Sequence, residues 1–151
     1  MCSYAITLFN LSAVATAIGL VAYDLMDRWR ILVVDDNRDV AVALGRLLTI
    51  DGHETLLAYD GVEALDAAAK NRPKMVLLDL GMPGLDGYEV CRRLRATHAD
   101  PHLLIVAMTG WTEEGDRQRS LDAGFDEYLV KPVAYATLLS LLTSVCQSFP
   151  L

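Results

Sequence analysis

The sequence predicts an α/β domain in which helices cover both faces of a parallel sheet, and three observations lead to it. Strand-like and helix-like segments alternate five times from Arg30 onward. Met75-Val76-Leu77-Leu78-Asp79 is a short all-apolar run with Pro73-Lys74 before it and a Gly/Pro-rich stretch after it, as befits a buried parallel strand opening into a loop. Polar residues suited to chemistry stand where these runs end: Asp35-Asp36, Asp79, Thr109 and Lys131. Open α/β sheets place their ligands at that carboxyl-end rim.

Taken in order, Ile31 to Val34 is the first strand, and a helix follows from about Asp39 to Thr49 with Val40, Ala43, Leu44, Leu47 and Leu48 on one side. Asp51-Gly52-His53 is a turn, Thr55 to Tyr59 the second strand, and Gly61 to Lys70 a helix stopped by Asn71-Arg72-Pro73. After the third strand come a helix from about Gly87 to Ala96, a strand at Leu103 to Met108 and a helix from Glu113 to Ala123. The last pair is a strand at Glu127 to Val130 and a helix from Ala134 to about Gln147.

Composition narrows the function. The 151 residues carry a net charge of -7, and the basic side chains are scattered, which argues against direct nucleic-acid binding. Cys2, Cys91 and Cys146 are far apart without a CxxC or a histidine at metal spacing, so neither a disulfide framework nor a zinc site is expected, and a reducing cytoplasm fits. Apolar residues make up 53% of the chain, above the roughly 45–50% of soluble domains, and the excess sits at the two ends.

Residues 1–23 carry no charged side chain, and Leu11, Val14, Ile18, Val21 and Leu25 repeat at helical spacing. Three readings stand open: a membrane anchor through residues 1–23, a helix packing on its own domain or a partner, and a tail without function. The final helix has a core stripe of Tyr135, Leu138, Leu142, Val145 and Phe149. Its other face, Ala136, Thr137, Ser140, Thr143, Ser144 and Gln147, is small and neutral, so two readings stand open: it packs against the N-terminal helix or, as a homodimer, against a second copy, or it is an exposed neutral face. The chain stops right after this helix, which predicts a stand-alone unit or a piece of a larger protein.

The strand ends bring three carboxylates, a hydroxyl and an ammonium to one rim. Clustered carboxylates repel one another and favour a hard divalent cation, for which an open oxygen site suits Mg²⁺. Each acid also has a structural alternative, because Asp35, Asp36 or Asp79 could cap the helix that follows it.

Residues 30 to about 146 resemble the receiver domain of two-component response regulators. The resemblance is carried by Val33-Val34-Asp35-Asp36-Asn37, by Leu77-Leu78-Asp79-Leu80-Gly81-Met82-Pro83-Gly84-Leu85-Asp86-Gly87, by Met108-Thr109-Gly110, and by Gly124-Phe125-Asp126-Glu127-Tyr128-Leu129-Val130-Lys131-Pro132. It implies a flavodoxin-like (βα)5 fold of strand order 2-1-3-4-5 over residues 29–151, with residues 1–28 as an apolar helix and joint. It further implies a signalling domain rather than an enzyme, phosphorylated by a histidine kinase or histidine phosphotransfer protein.

By matching position the resemblance makes Asp79 the phosphoacceptor. Asp36, Asp79 and the backbone carbonyl of Gly81 become Mg²⁺ ligands, with Asp35 acting mainly through a metal-bound water. Lys131 becomes a second cation at the site, Thr109 a donor to the phosphoryl oxygens, and Thr109 with Tyr128 the switch pair. The Lys131-Pro132 bond is expected to be cis. Gly81 leaves the acyl phosphate unshielded, whereas Trp111 either covers it or contacts a partner. A Mg²⁺-dependent phosphohydrolase would want an acid at position 81, and a nucleotide binder would want a Gly-rich phosphate loop where Asp35-Asp36-Asn37 stands. An interaction module that is never phosphorylated is the remaining alternative.

Overall fold

The computed structural model describes residues 28–98, 100–110 and 114–148. Its elements are β1 (Arg30–Val34), α1 (Arg38–Ile50), β2 (Glu54–Ala58), α2 (Gly61–Asn71), β3 (Met75–Asp79), α3 (Gly87–Thr97), β4 (Leu104–Thr109), α4 (Glu114–Ala123), β5 (Glu127–Val130) and α5 (Tyr135–Ser148). The five strands form one parallel sheet of order β2-β1-β3-β4-β5, a flavodoxin-like arrangement. The Lys131-Pro132 bond is cis.

Every residue of β3 and β4 is buried, which is why these strands read as unbroken apolar runs. Successive side chains enter opposite cores. Ile31, Val33, Met75 and Leu77 join Ala41, Leu44, Leu48, Leu138, Leu142 and Val145 of α1 and α5. Leu32, Val34, Val76 and Leu78 join Ala64, Ala68, Val90, Cys91, Leu94 and Ala123 of α2, α3 and α4. Burying such an aliphatic side chain contributes about 1.5–3 kcal/mol, so the two layers supply most of what holds the sheet.

The structure keeps most of the expected face of α1, with Leu44 and Leu48 in the core and Val40 packed on it, and corrects it at Ala43. The buried residues of α1 are Ala41, Leu44, Gly45 and Leu48, while Ala43 is exposed. The helix crosses β2 closely at Gly45, where an added Cβ would lie 2.9 Å from Leu57 Cδ2, so the smallest residues face the sheet. The second strand starts one residue earlier than expected because Glu54 aligns with Arg30 and pairs with it at 3.0 Å. The fifth helix begins at Tyr135 rather than Ala134, and its Ala136, Thr137, Ser140, Thr143 and Ser144 are exposed. Residues 1–27, Trp111 and Phe149, on which the anchor, cover and stripe-end expectations fall, lie outside the described residues. Among the described residues no helix is long and apolar enough to cross a membrane.

His53 in the turn after α1 is buried, and its Nδ1 accepts the Trp29 N–H at 3.4 Å. Burial pushes its pKa below the ordinary histidine value, against the opposing pull of Asp51. The unfolded chain therefore takes up a proton near pH 6.5 that the fold refuses, and stability drops as pH falls from about 6.5 to the depressed folded value. Thermal melts of the wild type should show this slope and His53→Asn should lack it. A wild-type midpoint independent of pH through that window would contradict the assignment.

Candidate functional site

Three helix caps decide what the acids are for. Asn37 caps α1, its Oδ1 accepting from Asp39 N at 3.1 Å and Val40 N at 3.3 Å. Asp60 caps α2 and Asp86 caps α3, accepting from Glu63 N at 2.8 Å and Glu89 N at 2.9 Å. A cap of this kind is worth about 1 kcal/mol. Asp35, Asp36 and Asp79, the acids that had capping as an alternative, are left to another duty.

Those three acids meet at the carboxyl ends of β1 and β3, where one oxygen from each lies within 4.8 Å of the others. Asp35 is fully buried, Asp79 nearly so, and Asp36 exposed. Lys131 spans the first two, its Nζ lying 2.6 Å from Asp35 Oδ2 and 3.2 Å from Asp79 Oδ1. Backbone donors add to this: Asn37 N donates to the other Asp35 oxygen, Oδ1, at 2.9 Å, and Gly81 N donates at 3.2 Å to Asp79 Oδ1, the oxygen that also faces Lys131.

Burial is the main force raising the Asp79 pKa above the ordinary carboxylate value; Asp35 adds to it, while the Gly81 N–H and Lys131 oppose it. Burial alone would lower the Lys131 pKa, but bonding to Asp35 and the charges of Asp79 and Asp35 outweigh it, so the ammonium is held charged. Three carboxylates and one ammonium still leave two negative charges on all-oxygen donors, a set that fits Mg²⁺.

Thr109 ends β4 beside this rim and is buried, with its backbone carbonyl taking the Lys131 N–H at 2.7 Å. Tyr128 lies on β5 opposite Ala107 and is 42% exposed. Leu121 of α4 lines the same small cavity as Tyr128, and Leu121 and Val130 are likewise exposed.

Sequence reasoning passed over Gly87. A Cβ there would meet Asp79 O at 2.4 Å and Leu80 Cα at 2.9 Å, so only glycine lets α3 start against the strand that carries Asp79. The available signal was its place after the Asp86 cap, with Glu89 three residues beyond that cap.

The pattern of the response regulator receiver domain matches residues 31–143, and the chain belongs to that family. Response regulator MprA of Mycobacterium sp. (strain KMS) is 52% identical over 111 residues, 74% of this chain and 47% of that protein. MprA of Mycobacterium tuberculosis (strain ATCC 25177 / H37Ra) is 50% identical over 111 residues, again 74% of this chain and 47% of its own length. The chain thus spans about half the length of the curated relatives it matches. Among solved structures, chemotaxis protein CheY4 of Vibrio cholerae superposes with a TM-score of 0.75 at 30% identity, covering 79% of this chain and 99% of CheY4. The receiver domain of sensor histidine kinase PA1611 from Pseudomonas aeruginosa PAO1, solved with a magnesium ion in its active site cleft, gives 0.72 at 32% identity, covering 80% and 99%.

Proposed function

We propose that this chain is the phosphoacceptor of a two-component relay, taking a phosphoryl group from a histidine kinase or histidine phosphotransfer protein onto Asp79. The observation that carries the reading is the rim itself: Asp79 is buried, freed from capping, and shares Lys131 with Asp35. A carboxylate kept from solvent is a better nucleophile than a hydrated one, and its orientation is set by the Gly81 N–H and Lys131.

In the transfer an Asp79 oxygen bonds to phosphorus as the phosphorus–nitrogen bond of phosphohistidine breaks, and the imidazole leaves with the electron pair. Lys131 offers charge to the equatorial oxygens, and the Thr109 hydroxyl donates to one of them. Asp36, Asp79 and the Gly81 carbonyl would hold Mg²⁺, with Asp35 behind them. Mg²⁺ supplies neutralisation of the charge that builds on the nucleophile and the transferring group.

Once Thr109 is drawn toward the phosphoryl group, Tyr128 turns inward from its exposed position, and the α4–β5–α5 surface repacks. The exposed Leu121, Tyr128 and Val130 are the material for that change. The chain is a signalling domain whose output is this surface, read by a partner or used to pass the group onward.

Intact-mass spectrometry after incubation with acetyl phosphate tests the reading. One base-labile phosphoryl adduct should form with Mg²⁺ and be lost with chelator. If neither this adduct nor a beryllofluoride complex forms, the phosphorylation-independent module takes its place.

A further inference from the structure

Away from the rim, between the C-terminal half of α1 and the edge strand β2, a mainly apolar groove of about 430 Å³ is lined by Val42, Gly45, Thr49, Ile50, Thr55 and Leu57, with Arg46 the one charged side chain among its described residues. Gly45 and Leu57 meet closely along its lining, and Ile50 stands beside them 79% exposed. An aliphatic side chain so placed gains from a cover.

The occupant is indicated by where the chain enters the fold. Trp29 N donates to His53 Nδ1, Glu54 N donates to Trp29 O at 2.8 Å, and Arg30 pairs with Glu54. The described chain thus begins beside the turn that joins Ile50 to Thr55, two residues that line the groove. The segment preceding Arg28 has no charged side chain in residues 1–23 and carries Leu11, Val14, Ile18, Val21 and Leu25 at helical spacing.

The outer face of α5 offers an apolar stripe much less. It presents Ala136, Thr137, Ser140, Thr143 and Ser144, and three of its hydroxyls donate to carbonyls of their own helix: Ser140 to Ala136 O, Thr143 to Leu139 O and Ser144 to Leu141 O.

We infer that the α1/β2 groove is the seat of the chain's own N-terminal segment, with the Leu11 to Leu25 stripe packed over Val42, Ile50 and Leu57. The seat is independent of phosphotransfer, because it lies at the end of α1 remote from Asp35 and Asp36.

The test places a benzophenone amino acid at position 50 of the full chain and irradiates a mixture of isotopically heavy and light copies. The expected product is a link from position 50 to a peptide within residues 11–25 of the same copy, reduced several-fold by Ile18→Glu with Val21→Glu. The same probe at Val62, 70% exposed on α2, should give no such link. Heavy–light products would assign the groove to a second copy and overturn the inference. So would equal linking from position 62, a yield unmoved by the double substitution, or no link to the segment, as a membrane-inserted or solvated segment would give.

Discussion

Asp79→Asn takes up no phosphoryl group from acetyl phosphate or a phosphorylated partner, while the fold stays intact. The amide keeps the size of the carboxylate and an oxygen for the Gly81 N–H, but has no anionic oxygen to attack phosphorus. The expected loss is complete within detection by intact mass. The melting temperature should hold or rise, because the substitution removes one of the clustered carboxylates and a charge that burial disfavours. A variant that still gained one adduct at wild-type yield would place the acceptor elsewhere.

Gly87→Ala carries the largest expected loss of stability from a single methyl group. The added Cβ meets backbone atoms of Asp79 and Leu80 at 2.4 and 2.9 Å, and no side chain there can turn aside. Either α3 backs away from β3 or the end of β3 shifts, at a cost of about 3 kcal/mol, near the upper end of the overpacking range. For a chain of this size that lowers the melting temperature by about 10 °C. Because the displaced atoms belong to Asp79, phosphorylation should slow as well. Gly81→Ala is the control, since its nearest neighbour is Asp79 Oδ1 at 3.8 Å and a methyl group fits. Equal stability of the two variants would remove the steric argument.

The site was legible because parallel strands bring all their carboxyl ends to one rim, so apolar runs ending in Asp35-Asp36, Asp79, Thr109 and Lys131 already imply convergence. The resemblance then gave the strand order. The division of labour among Asp35, Asp36 and Asn37 was not legible: each side chain can cap a helix, and only the point at which the backbone turns selected Asn37. On α1 the apolar pattern found Leu44, Leu48 and Val40 but took Ala43 where Ala41 and Gly45 face the sheet, because close approach to Leu57 rewards small residues. The ends of β2 depended on Glu54 meeting Arg30, a pairing across 24 residues that no local pattern announces.

The most direct test of the account is to phosphorylate the wild-type chain with Mg²⁺ and acetyl phosphate, reduce the product with borohydride, and sequence its peptides by tandem mass spectrometry. Reduction turns an aspartyl phosphate into homoserine and leaves free aspartate unchanged. Homoserine at position 79 alone is the predicted result, and homoserine at 35, 36 or any other aspartate with none at 79 would contradict it.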